Sequence, residues 1–262
     1  MNTTVIILSY NSEKNIKNCF REIKNFDLGY IKDIVFVDNK STDNTVNEIQ
    51  NCRENLKIKD KVKIIINNKN YNQGGSIKIA IKYFLENNSE NIIFVHSSGK
   101  CQLDLVVNNF LNIKKNNPKS EVIHASRFHK NSKLNNYSKK NIIGNILFNY
   151  LTILFTGYKF SDSGCGIFFA NKSAFQNIDY TSLTNGPQFN PQLNILFKKQ
   201  NVKITNCSLN WSHGVVKSNV KVIKYAFILF HILLRYFLFH RLMKKNNFWH
   251  IEDQKSYDYK IF

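Results

Sequence analysis

Apolar and polar positions follow two rhythms through the first 130 residues of the chain. Short, mainly apolar runs at 5–8, 34–37, 62–66, 92–95 and 122–125 read as strands buried on both faces. Between them, residues 14–24, 45–56, 76–85 and 103–115 place apolar side chains at helical spacing. Strand–helix alternation of this kind predicts an α/β fold, a mostly parallel sheet with helices on both faces. Such sheets bind ligands beyond the carboxyl ends of their strands. The segments that can carry chemistry are therefore 9–13, 38–45, 67–76, 96–104 and 126–140.

The second half is less regular. Residues 141–155 form a strongly apolar helix candidate, 167–170 a short strand, 190–199 a helix and 202–209 a strand. Beyond Trp211 the character changes. Residues 221–243 contain a ten-residue apolar run, 225–234, flanked by Lys224 and Arg235 and interrupted by His231. A bilayer span needs about 20 apolar residues, so this run falls short of one. Its apolar side, bordered by Lys217, Lys221, Lys224, Arg235, Arg241, Lys244 and Lys245, suits a helix lying in a membrane interface. A helix packed on the core or at a homodimer interface satisfies the same pattern. The chain divides into one α/β domain, 1–215, and a basic, apolar helical segment, 216–262.

Composition narrows the partners. The 262 residues, 43% hydrophobic and 13% aromatic, suffice for one folded domain with an appendage. The formal charge of +19 attracts nucleic acid, anionic lipid head groups or phosphorylated substrates. No zinc-finger spacing, aromatic RNA-binding signature or heptad basic region is present, so no nucleic-acid partner is expected. Five scattered cysteines without CxxC pairs point to buried free thiols in a reducing compartment. The opening MNTTVIIL lacks a basic stretch and a long apolar run, so no leader is expected. A cytoplasmic protein, peripheral on the cytoplasmic face of a membrane, is the expected location.

The motifs sit where the strands end. Residues 5–13 read VIILSYNSE and residues 37–45 read VDNKSTDNT. Asn72-Gln73-Gly74-Gly75 follows, then His96-Ser97-Ser98-Gly99-Lys100, Ala125-Ser126-Arg127, Asp162-Ser163-Gly164-Cys165-Gly166 and Leu209-Asn210-Trp211. In this order and spacing, over roughly residues 4–220, they resemble glycosyltransferase family 2, whose members open with VIIPxYNEE and continue with VDDGSTDxT. The later segments are similar to the GSR, DxxCGF and VxW segments of its polyprenyl-phosphate sugar transferases. The resemblance implies a GT-A fold, here followed by C-terminal amphipathic helices, and a nucleotide-diphosphate sugar as donor.

The resemblance also distributes roles. Ser9, Tyr10, Asn11, Glu13, Asp38, Asn39, Gly74, Gly75 and Ser98 become donor-site residues, with the Asp38 carboxylate accepting from a base N–H. Asp38 and Ser41 capping the next helix is the other reading. A plain turn is the other reading for the two glycines, and packing for Tyr10. Family members hold Mg²⁺ or Mn²⁺ through carboxylates after the fourth strand. Here His96, Ser98 and Lys100 stand in place of Asp, Asp and Gln, and a serine is a poor ligand for a hard cation. Three readings stay open: Lys100 replaces the metal as a fixed charge, His96 holds a transition metal, or the site is inactive.

An inverting displacement at the anomeric carbon follows from the same resemblance. A polyprenyl-phosphate acceptor is already anionic, whereas a glycan hydroxyl needs a general base. Asp162 is the candidate base or acceptor-site residue, and Arg127 the candidate grip on a phosphate. A held loop and a surface ion pair are their bland counterparts. The polyprenyl branch usually has a basic residue after GF; here Phe168 follows Gly166-Ile167. The rivals from other classes are a binding or scaffold protein that keeps the fold without turnover, and an anionic-polymer binder resting on charge alone.

Overall fold

The computed structural model describes residues 1–212, 222–244 and 257–262. The 215/216 boundary, Lys217, Lys221 and Lys245 lie outside these residues.

The alternation builds a sheet in chain order: β1 (Thr3–Ser9), α1 (Glu13–Ile23), β2 (Ile31–Asp38), α2 (Thr45–Glu54), β3 (Val62–Asn67), α3 (Asn72–Glu86), β4 (Asn91–His96), α4 (Leu103–Asn116) and β5 (Val122–Ser126). Then come β6 (Leu134–Asn135), α5 (Lys139–Thr156), β7 (Phe168–Asn171), α6 (Phe189–Lys199), β8 (Ile204–Ser208), β9 (Trp211–Ser212), α7 (Val222–Arg235) and β10 (Tyr259–Ile261). The eight-stranded sheet runs β10-β3-β2-β1-β4-β7-β5-β8, and β6 pairs β9 in a two-stranded sheet. Strands β3, β2, β1 and β4 are mutually parallel, as the alternation predicts. β7 is the departure: it lies antiparallel between β4 and β5.

Side chains alternate across each strand, so the sheet divides its apolar residues between two cores. Val5, Ile7, Ile34 and Phe36 pack under α1, α2 and α4, with Phe20 stacked on Phe36 at 5.1 Å. Ile6, Leu8, Val35 and Val37 face the other way, toward α3, α6 and α7. Each fully buried Ile or Phe contributes about 1.5–3 kcal/mol. Both cores are continuous, which is why the first four strands read as unbroken apolar runs.

Three elements escape the pattern. α3 begins four residues before its predicted start, so Gly74 and Gly75 lie in its first turn instead of a loop. β10 returns the last residues of the chain to the free edge of β3, antiparallel. α7 continues from Arg235 into a π-helical stretch, Tyr236–Leu242, and the 19 residues Lys224–Leu242 are long and apolar enough to cross a membrane. That corrects the reading from the ten-residue run alone, which stopped at Arg235.

Candidate functional site

β1 and β2 end side by side, with Ser9 in register with Asp38. The loops beyond them are stitched together. The Asn11 amide donates to Ser41 Oγ (2.9 Å), Asn11 Oδ1 accepts from the Thr42 amide (2.9 Å), and the Ser12 amide donates to Thr45 Oγ1 (2.7 Å). Glu13 is exposed at the start of α1, where its carboxylate accepts from the Asn44 amide. Asn11 reaches this arrangement through a left-handed backbone, φ 48°, a conformation asparagine tolerates better than most residues.

Asp38 has no exposed surface. Its two oxygens accept from the Ser41 hydroxyl and the Ser41 amide. Burial raises its pKa, against the pull of the Ser41 bonds. Asp38 and Ser41 thus hold each other within the loop, and neither caps α2, whose N-cap is Asn44. Asn39 is likewise committed: Oδ1 accepts from Asn67 Nδ2 (3.1 Å) and the Tyr71 amide (2.9 Å), and Nδ2 donates to Asn70 (2.9 Å). Asn39 clamps β2 to the start of α3.

The glycines serve a close approach, but to protein. A Cβ on Gly74 would collide with the Thr184 carbonyl, and the Gly74 amide donates to the Asn185 carbonyl (2.7 Å). A Cβ on Gly75 would strike Tyr71. Neither has positive φ. The contact expected with a donor is occupied by the 184–185 backbone. Ser9 Oγ reaches only its own strand, at Ile7 O (3.4 Å), and Tyr10 is half-buried beside it.

Beyond β4, Ser97 is held by Ser12 Oγ (2.8 Å) and by Asn15, whose Nδ2 donates to its carbonyl (2.9 Å). Gly99 turns the chain at φ +69°, and a Cβ there would press on Asn15 at 2.9 Å. Ser98 is half-buried in the turn. His96 is half-buried at the end of β4 and hydrogen-bonds the Gly166 backbone; burial, then the nearby Lys100 charge, lowers its pKa to about 4. It is neutral at physiological pH.

The described residues do not fit a hard divalent metal. Among the described residues no three His, Cys, Asp or Glu side chains group to hold one. Ser98 replaces a carboxylate, and His96 makes a hydrogen bond to Gly166. Among the described residues no two further His, Cys, Asp or Glu side chains join His96 in such a group. The cysteines are free, and burial pushes the Cys19, Cys165 and Cys207 thiols up to about 12, which leaves them inert.

Lys100 lies at the centre of what remains. Its Nζ sits 5.8 Å from the Trp211 ring, and the Arg127 guanidinium lies 5.6 Å from the same ring. The two-stranded β6–β9 sheet sets that ring: the Trp211 amide donates to the Lys133 carbonyl (2.8 Å) and the Ser212 amide to the Lys100 carbonyl (2.7 Å). Burial, then repulsion from Arg127, lowers the Lys100 pKa. No carboxylate among the described residues lies within ion-pair distance of Lys100.

Arg127 and Asp162, expected as phosphate grip and base, hold each other. Arg127 Nε and an Nη donate to the two Asp162 oxygens at 2.7 and 2.8 Å, and the Arg127 amide donates to Asp162 at 3.1 Å. Both side chains are buried. Burial alone opposes the Arg127 charge; Asp162 beside it more than offsets this and raises the pKa. Three bonds to one carboxylate leave Asp162 a positioning residue, and its assignment as base is corrected. The remaining guanidinium hydrogens meet Tyr137 (3.3 Å) and Asn145 (3.2 Å). Sequence reasoning gave no role to Tyr137, Asn145 or Trp211. Only Trp211 carried a signal, its place in the VxW-like segment.

The mostly parallel sheet, with its loops beyond the strand ends and the Lys100 and Arg127 cations beside them, has the arrangement of a GT-A fold. The model of Glycosyl transferase family 2 matches residues 4–179, and the chain belongs to that family. It is a glycosyltransferase. Solved structures share the fold at low identity. Glucosyl-3-phosphoglycerate synthase from Mycobacterium tuberculosis, with Mn²⁺, UDP and glucosyl-3-phosphoglycerate, superposes with a TM-score of 0.61 at 12% identity over 100% of this chain and 87% of that one. The mannosyltransferase PcManGT from Pyrobaculum calidifontis, with GDP-Man and Mn²⁺, gives 0.57 at 12% identity over 94% and 65%. Comparison with curated proteins gave no match.

Proposed function

We propose that the enzyme moves a sugar from a nucleoside diphosphate donor to an acceptor whose attacking oxygen is already anionic, a polyprenyl phosphate, without a divalent metal. One observation carries this reading: among the described residues Asp162, the carboxylate of the site's second half, is spent on Arg127, while no carboxylate lies within ion-pair distance of the Lys100 ammonium. A glycan hydroxyl would need a base that the arrangement does not supply. A phosphate oxygen attacks the anomeric carbon directly, the bond from that carbon to the diphosphate breaks with inversion, and the nucleoside diphosphate leaves with the electron pair. Lys100 offsets the charge gathering on the departing diphosphate, the work that a metal performs elsewhere. Donor binding through Asp38 requires the Ser41 hydroxyl to turn away and free the carboxylate.

The test is transfer from radiolabelled UDP- and GDP-sugars onto a short-chain, water-soluble polyprenyl phosphate, with and without a chelator. Turnover should survive chelation in the wild type and fall in Lys100→Ala. Strict dependence on Mn²⁺ or Mg²⁺ would overturn the metal-free reading. Transfer to a glycan hydroxyl alone would overturn the acceptor.

A further inference from the structure

We propose that α5 and α7, with its π-helical continuation, form one lipid-facing surface that seats the protein on an anionic bilayer and leads a lipid-phosphate acceptor to Arg127 and Lys100. The acceptor part rests on the proposed function; the surface is tested without turnover.

α5 shows water a stripe of large apolar side chains. Ile143, Leu147, Tyr150 and Leu154 are 66%, 55%, 68% and 68% exposed, at steps of four, three and four residues that put them on one helical face. α7 packs beside it through edge-on ring pairs, Phe148 with Tyr225 and Phe155 with both Phe230 and Phe237. Phe230 is itself exposed, so it joins the α5 stripe to the outer side of α7, where Phe227 is 79% exposed. Leu238, Leu242 and Met243 extend the surface. An apolar face of this extent marks a contact.

Charge selects the contact. Lys139 and Lys140 open α5, Lys159 follows it, and Lys224, Arg241 and Lys244 flank the α7 helix, all exposed. Between Glu121 and Glu252 the chain has two acidic residues, Asp162 and Asp179, against 17 Lys and Arg. A second copy seated on this face would bring like charges together. An anionic bilayer takes up both the apolar stripe and its basic border. Although Lys224–Leu242 is long enough to cross a membrane, Leu229, Leu233 and Tyr236 are buried in the sheet's core. The helix therefore lies along the surface.

The same helices reach the site. Asn145 of α5 accepts from Arg127 and donates to the Tyr137 hydroxyl (3.0 Å), and the Tyr225 hydroxyl of α7 lies near Gly164. A lipid whose tail rests on the α5 stripe has its phosphate beside these cations.

Sedimentation of the full chain with phosphatidylglycerol–phosphatidylcholine and pure phosphatidylcholine vesicles, at low and high salt, decides the matter. The protein should pellet with anionic vesicles at low salt and much less with neutral ones or at high salt. Leu147→Glu/Leu154→Glu on α5 and Phe227→Glu on α7 should each lower the bound partition about tenfold or more. Both should keep the wild-type melting temperature, since the replaced side chains are exposed, and should keep transfer onto a short-chain acceptor. Wild type that ignores anionic vesicles, variants that bind as wild type does, or a wild-type dimer that Leu147→Glu/Leu154→Glu turns into monomer would each overturn the proposal. Absent transfer with intact vesicle binding would count against the proposed function and leave the lipid face standing.

Discussion

Residues 1–121 and 122–251 carry charge and apolar surface in opposite ways. The first stretch mixes 13 acidic with 18 basic residues, and its apolar side chains close into cores on both faces of the sheet. Its strand-end loops satisfy one another: Asn11, Asp38, Asn39 and Ser41 each find partners within the protein. The second stretch has two acidic residues, shows an apolar stripe outward and centres its polar interior on one ion pair. A network of neutral hydrogen bonds spreads the loss of any one member, whereas a buried charge pair, even one that Tyr137 and Asn145 also bond, leaves an uncompensated charge when one partner goes. The first half is built to hold its own shape, and the second to meet something else.

The largest break should come at that pair. Asp162→Ala leaves the Arg127 guanidinium buried without its countercharge, and stability should fall by about 3–5 kcal/mol in urea unfolding. The matching cut in the first half is Asn39→Ala, which strands the Tyr71 amide and leaves Asn67 Nδ2 only its bond to Ser76 Oγ. It should cost only about 1–3 kcal/mol. Equal losses would show that the second half is cross-braced as well as the first.

Next in size is the Lys100 effect, read in kcat. If its ammonium replaces a metal, Lys100→Ala should lower turnover by about 10²–10³, the scale for losing one preorganised charge-stabilising group. The variant should leave the melting temperature unchanged, since no ion pair among the described residues is broken. A variant as active as wild type would remove Lys100 from the reaction.

In the first half the matching change is Asp38→Asn, which keeps an acceptor for the Ser41 amide. By calorimetry with UDP and GDP, affinity for the preferred nucleotide should drop roughly tenfold or more, the worth of a hydrogen bond to a charged group at about 1.5–3 kcal/mol. Unchanged affinity would confine Asp38 to the turn-holding role.

What was legible in the sequence follows the same division. The five predicted strands and four helices of residues 1–125 all form, because burial on both faces writes an unbroken apolar run that no loop imitates. Ser98 and Lys100 follow β4 as read, while His96 is its last residue. The partnership of Arg127 with Asp162 was not legible, since 35 positions separate them and each belongs to a motif that suggests a ligand role. Gly74 and Gly75 misled for a related reason: close approach was readable, but the approaching groups were the 184–185 backbone at Gly74 and the Tyr71 side chain at Gly75. α5 read as apolar, and sequence periodicity does not distinguish a buried apolar helix from one that faces lipid.

The smallest expected effect lies where the chain's last residues meet α3, at Lys78. Its side chain is buried, and Nζ donates to Asn185 Oδ1 (3.0 Å) and the Tyr257 hydroxyl (3.2 Å), just before β10. Tyr257 also stands edge-on to Tyr71, and the Asp258 amide donates to the Tyr71 hydroxyl (2.9 Å), so the chain's last residues are strapped to α3 here. Burial lowers the Lys78 pKa from 10.5 to about 8, with Asp179 opposing weakly. Below pH 8 the folded and unfolded states both carry the proton, and the folded state bears the full cost of a buried charge. Between pH 8 and 10.5 the unfolded state binds more protons, so stability rises with pH, and above that window it levels off. Lys78→Met removes the charge and keeps the volume, while Tyr257 still donates to Asn185 (2.6 Å). The variant should equal or slightly exceed wild type in melting temperature at pH 7, and that margin should shrink as pH climbs toward 10. A margin that stays constant from pH 7 to 10 would mean that Lys78 titrates like an ordinary lysine, and that the strap holds it no more tightly than the surface would.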